Sequence, residues 1–191
     1  MGLHTTLYEI ENARMASPTN KVSIRLPNAT LKVLKKKADE KDLPLSSLIV
    51  KILNENVLFD IHLKPLPYVI LSQVLFEEII KTMTDSQIDK VASMGPSIVT
   101  RLFQISRWEY DVDSVIENYF MMISKYCGLF QFKKQVQHNH YHLVFETKLG
   151  TKWEKFLSIF VRSILESMRI HIDLESFNDG IIIFEFVKRE F

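Results

Sequence analysis

Lys21, Ser23 and Arg25 stand two apart in the stretch Lys21-Val22-Ser23-Ile24-Arg25-Leu26-Pro27, and their shared chemistry is the reading of a polyanion. An arginine fork donates two parallel bonds to guanine, a lysine reaches guanine or phosphate, and a serine is permissive. His138, His140 and His142 have the alternating spacing that puts imidazoles on one face of a regular strand, where a metal ion could be held. The preferred reading of these three is polar residues at a wet hairpin, so no metal and no cofactor is expected. Cys127, beside Gly128, is expected to be a buried small residue rather than a ligand or nucleophile. Glu77 with Glu78 reads as a helix surface, and Asp111 or Asp113 as a helix cap, in preference to a catalytic carboxylate pair. No Ser/His/Asp or Cys/His constellation can be assembled, and the chain is not expected to be an enzyme.

The elements that must carry the first set follow from local pattern. Strict alternation over residues 21–26 predicts a strand with Val22, Ile24 and Leu26 on one face and Lys21, Ser23 and Arg25 on the other. Pro27 ends it, and Asn28 is placed to cap a helix running to about Lys41, with Leu31, Leu34 and Ala38 inward and Lys32, Lys35, Lys36 and Lys37 mostly outward. Asp42-Leu43-Pro44 breaks that helix, because Asp tolerates a left-handed turn and Pro44 disfavours helix at Leu43. A second helix begins near Leu45-Ser46-Ser47, with Leu48, Ile49, Ile52 and Leu53 as its apolar stripe. A strand and two short helices, about 40 residues, cannot bury these stripes alone. A second copy of the same unit, with the two strands paired antiparallel, is the natural partner.

Charge divides the chain at the same places. Residues 20–56 carry eight lysines and arginines against four acids, whereas residues 57–191 carry 15 against 17, although the net charge of the 191 residues is only +1. A basic module thus precedes a slightly acidic one, the asymmetry expected when one part meets a polyanion. The composition, 47% hydrophobic and 25% charged, excludes whole-chain disorder. The five glycines are too scattered for a GxGxxG or GxxxxGKS phosphate cradle, and one cysteine excludes CxxC zinc sites and fits a reducing compartment. No apolar run reaches the roughly 18–20 residues of a membrane span, so no membrane association and a cytoplasmic location are expected.

The stretch KVSIRLPNATLKVLKKKADEKDLPLSSLIVKILNENV, residues 21–57, resembles the ribbon-helix-helix DNA-binding proteins of the MetJ/Arc type: an alternating strand, Leu-Pro, a helix with Leu and Ala, a turn, then a Ser-x-Leu-Ile pattern opening a second helix. The resemblance covers about a fifth of the chain. It implies an obligate dimer (βαα in each copy) whose two-stranded ribbon carries Lys21, Ser23 and Arg25 into the major groove of double-stranded DNA. It also implies a phosphate held by backbone amides at the start of the second helix, here Leu45, Ser46 and Ser47. Two departures stand out: Asp42 occupies a turn position often filled by Gly, and Pro44 a position often filled by a Ser or Thr cap.

Beyond the module, Phe59–Pro67 reads as a connector and residues 68–191 as an α+β domain. About three helices, the first over Tyr68–Met83 and the last ending at Tyr126, precede a ββαββ unit. Its hairpins turn at His138-Asn139-His140 and at Phe177-Asn178-Asp179-Gly180, with a helix over Gly150–Met168 between them. Residues 1–19 read as a flexible arm. The whole predicts a homodimeric, sequence-specific DNA-binding transcriptional regulator of prokaryotic type. Its second domain would serve ligand sensing or oligomerisation, with a small-molecule effector or a partner protein as candidate ligands. The alternative is an antitoxin-type protein whose carboxy-terminal domain binds a partner protein. Nickel-responsive regulators also join a ribbon-helix-helix to an α+β domain, but only the architecture and the HxH spacing are shared.

Overall fold

The computed structural model describes residues 20–60 and 69–188; the expected amino-terminal arm and residues 61–67 of the expected connector lie outside them. Residues 20–27 form neither helix nor strand in the single chain. The strand expected over residues 21–26 is therefore not part of a ladder in the single chain. A lone strand has no ladder to join, and the chain's own sheet is occupied by other strands.

Helix α1 spans Asn28–Asp39. Its cap position is Pro27 (φ −56°, ψ 143°) with no side-chain capping bond, so Asn28 is the first helical residue and not the expected cap. Proline fixes φ and turns the chain into the helix one residue early. Asp42 adopts the left-handed conformation (φ 50°), and the Leu43 amide donates back to the Ala38 carbonyl at 3.0 Å. Helix α2 then starts directly after Pro44, spanning Leu45–Glu55, and widens into a π-helical turn over Asn56–Asp60. Phe59 and Asp60 thus extend this helix instead of opening the connector, because the helix-breaking prolines, Pro65 and Pro67, act only further on.

Among the described residues four helices follow, where about three were expected. Helix α3, Gln73–Thr82, starts later than the expected Tyr68, because the Ser72 hydroxyl takes the Leu75 amide and fixes the first turn there. Tyr68 itself lies outside the described residues. Helix α4, Asp85–Ala92, opens with a reciprocal capping box between Thr84 and Gln87. Helix α5, Gly95–Ser106, ends at Arg107 in the left-handed region. Helix α6 runs over 112–126, α-helical at Val112–Ser114, π-helical over Val115–Phe120 and α-helical again over Met121–Tyr126.

The ββαββ unit closes the domain. Strands β1 (Gln131–Gln137) and β2 (His140–Glu146), helix α7 (Thr151–Ser167), and strands β3 (Ile172–Asn178) and β4 (Ile181–Val187) build an antiparallel sheet of order β1-β2-β4-β3. Leu143 and Phe145 of β2 and Ile182, Phe184 and Phe186 of β4 are buried toward α6 and α7, which contribute Val115, Ile116, Phe120, Leu157, Val161, Ile164 and Leu165. The opposite sheet face stays open, as antiparallel sheets allow. Gly95 lets α5 close on α7: a Cβ there would stand 3.0 Å from the Phe160 carbonyl oxygen.

The second hairpin turns on two residues, Asp179 (φ 50°) and Gly180 (φ 81°), so β3 runs two residues beyond its expected end at Ser176. Two consecutive positive φ values are the requirement of a type I′ turn. The Gly180 carbonyl accepts from the Thr147 amide at 2.7 Å, and a Cβ on Gly180 would collide with the Thr147 carbonyl. Gly180→Ala is therefore expected to lower stability by about 1–3 kcal/mol, read as the urea midpoint. Gly128→Ala, at φ 65° with open space around its Cβ, is expected to cost less, about 1 kcal/mol. Equal midpoints for Gly180→Ala and the wild type would contradict this account of the turn.

Candidate nucleic-acid interface

Lys21, Ser23 and Arg25 are exposed, and so are two of the three apolar residues that alternate with them: Val22 keeps 78% of its surface and Ile24 54%, while Leu26 is half-buried. Val33 on α1 and Val50 and Leu53 on α2 are also more than half exposed, leaving Ala38 and Leu48 as the module's buried residues. The polar row faces water at no cost. Val22 and Ile24 do not, and they are left mostly uncovered in the single chain.

Ser46 and Ser47 are exposed in the first turn of α2, whose leading amides follow Pro44 with no side-chain cap. Aligned amide dipoles and unpaired N–H groups favour an anion at such a position. These serines open onto a cleft of about 540 Å³ that also takes in Val50 and Lys51 of α2 and Lys125 and Tyr126 from the end of α6. Lys125 Nζ lies 5.4 Å from the centre of the Tyr126 ring. The second domain thus borders the helix start that the resemblance assigns to phosphate, a neighbourhood invisible in linear sequence. Among the lysines of α1, Lys36 lies 3.8 Å from Glu40, and both remain well exposed, so this pair contributes little.

The histidines are not gathered. His138 sits in the hairpin turn at φ 56°, whereas His140 and His142 lie on the open face of β2. His142 Nδ1 is 2.8 Å from Glu185 Oε1 on the neighbouring strand. No group of three potential metal-ligating side chains occurs among the described residues. Cys127 is exposed, not buried as expected, because it follows the last turn of α6 at the domain surface; partial burial of its thiol still pushes its pKa up. Glu77 accepts from Gln73 and Glu78 from Lys81, both within α3, and Asp111 caps α6 by accepting from the Ser114 amide at 2.9 Å.

Asp113, by contrast, caps nothing. It accepts from Tyr141 Oη and from Lys188 Nζ, tying the start of α6 to β2 and to the residue after β4, while Lys134 of β1 pairs with Glu117 one turn on. The separations, 28 and 75 residues for the two Asp113 contacts, leave no sequence signal. Burial works to raise the Asp113 pKa, but the bonds from Lys188 and Tyr141 and the charges of Lys188 and Lys134 outweigh it and hold the carboxyl below its ordinary 3.8. Burial, then the bond to Asp113, pushes Tyr141 well up and keeps it protonated.

No protein-family model matches the chain, and no curated protein matches it. Among solved structures it is similar to an H-NOX protein from S. oneidensis in the Fe(II)NO ligation state, at 8% identity over 96% of this chain and 89% of that one, with a TM-score of 0.26. At that score the likeness carries no argument about fold or activity. No helix among the described residues is long and apolar enough to cross a membrane.

A carboxyl depressed by folding contributes stability above its unfolded pKa and loses it as pH falls through the folded value. For Asp113 that window opens near pH 3.8 and extends below it. Asp113→Asn is expected to be less stable than the wild type at pH 7 and to show a shallower loss below pH 4, read as the urea midpoint across a pH series. Parallel pH profiles would contradict the assignment.

Proposed function

We propose that the chain is a homodimeric, sequence-specific DNA-binding transcriptional regulator. In this reading two copies pair residues 21–26 into an antiparallel ribbon and set Lys21, Ser23 and Arg25 into the major groove. One observation carries it: polar and apolar residues alternate along a segment that forms no ladder in the single chain, and its apolar residues Val22 and Ile24 are left in water, as are Val33, Val50 and Leu53 of the two helices that follow. Pairing across a twofold axis would satisfy the strand's free backbone groups and cover that row in one step. The local basic excess supplies attraction to phosphate, and the start of α2 at Ser46 and Ser47 supplies positioning on the backbone.

The antitoxin-type reading has less support. Neutralising tails of that kind are short and fold on their partner, whereas residues 69–188 enclose a continuous core around α7 and the sheet.

Equilibrium binding to a mixed-sequence duplex library over a salt series tests the proposal, with Arg25→Ala alongside. Affinity is expected to fall steeply with salt and one sequence to be enriched. Arg25→Ala is expected to cost about 1–3 kcal/mol and to erase the preference at the guanine it reads, while weak general binding persists. A wild-type dimer with no salt-dependent binding would reject the DNA-reading role and leave the module as a dimerisation device.

A further inference from the structure

We propose that the larger domain takes part in holding DNA, through Lys125, which contacts a backbone phosphate from the cleft shared by α2 and α6. This inference rests on the DNA-binding reading given above and deepens it: the partner is the same duplex, met at a second place. Ser46, Ser47, Lys51 and Asn54 of α2 line the cleft of about 540 Å³ from one domain, and Lys125 and Tyr126 line it from the other. The two domains are joined there by packing, since the π-helical turn that ends α2 lies against Met121–Tyr126 of α6. Lys51 and Lys125 are both exposed. A cation from each domain therefore opens onto one space.

Charge along the cleft is graded. At 1.5 Å per residue, Lys51 lies about 7–8 Å along α2 from Ser46, and Glu55, the one acid among the lining residues, about 13 Å from it. An anion is thus favoured toward the serine end and disfavoured at the other. Lys125 Nζ rests 5.4 Å from the centre of the Tyr126 ring, within reach of a cation–π contact, so its ammonium is kept beside a residue that itself lines the cleft. The occupant is the DNA backbone because the serine end is where the proposed docking already sets the duplex. A polyanion continues past its first contact and offers further phosphates to cations nearby, at a gain in affinity from each counterion released. A lysine used in this way positions the larger domain on the duplex and reads no base.

The test is duplex binding by the full chain over a salt series, comparing the wild type with Lys125→Gln, Lys125→Arg and Lys90→Gln. The last removes an equal charge from the exposed end of α4. Lys125→Gln is expected to weaken low-salt binding about threefold to tenfold, to reduce the slope of log affinity against log salt by about one, and to leave the enriched sequence unchanged. Lys125→Arg is expected to restore the slope, and Lys90→Gln to keep it. A wild-type slope in Lys125→Gln, or an equal loss of slope in Lys90→Gln, would overturn the Lys125 contact while leaving the ribbon reading intact. Binding of inorganic phosphate at Lys125, seen as a shift of its side-chain resonances, together with an unchanged slope in Lys125→Gln, would assign the cleft to a free anion and overturn the DNA contact. A wild type with no salt-dependent binding would overturn the DNA reading and this contact together.

Discussion

A short strand has two rows of backbone donors and acceptors and one apolar face, and residues 20–60 offer neither a sheet to receive the first nor a core to receive the second. The chain's own sheet cannot help, since its edges are β1 and β3 and residues 21–26 pair with neither. Burying a valine, leucine or isoleucine side chain contributes about 1.5–3 kcal/mol, so Val22, Ile24, Val33, Val50 and Leu53 represent a large unused driving force. In the proposed dimer the same step that buries this row aligns Lys21, Ser23 and Arg25 on the opposite face. Association and DNA reading would then share one physical cause.

The larger domain, in contrast, is complete within one chain. Its core is organised by α7, which lies across the inner face of the sheet and is locked at its flanks by charge. Arg162 donates twice to Glu175 of β3 at 2.6 Å, Lys155 reaches Asp89 of α4 at 2.9 Å, and Lys152 closes the end of α3. Trp153, Phe156 and Phe160 stack along one side of that helix, and Phe76 of α3 meets Trp153 edge-on. Helix α6 spans the domain, with Asp113 fastened to the sheet at one end and Lys125 and Tyr126 beside α2 at the other. It is the continuous element between the sheet and the basic module.

Much of this was legible wherever a local rule has a single solution. Asp179-Gly180 marked its turn because few residues accept two positive φ values, and Pro44 marked the start of α2 because proline suits a first turn and excludes helix before it. The pattern at residues 21–26 was legible as alternation, yet a strand is a property of two segments, and these residues form no ladder in the single chain. The Ser72 cap of α3 was obscured because Val69, Ile70 and Leu71 extend the apolar pattern backwards without being helical. The π-helical stretch of α6 and the Asp113–Tyr141–Lys188 contact had no sequence signature, since one depends on packing along a mostly apolar helix and the other on residues brought together only by the finished sheet.

The most direct measurement is an isotope-filtered nuclear Overhauser experiment on a mixture of labelled and unlabelled full-length protein, reporting contacts between copies at residues 21–26. The account predicts cross-copy contacts along this segment, together with slowed amide exchange in alternating positions of an antiparallel pair. Absence of cross-copy contacts, with rapid exchange throughout the segment at concentrations where the protein sediments as a single species, would contradict it.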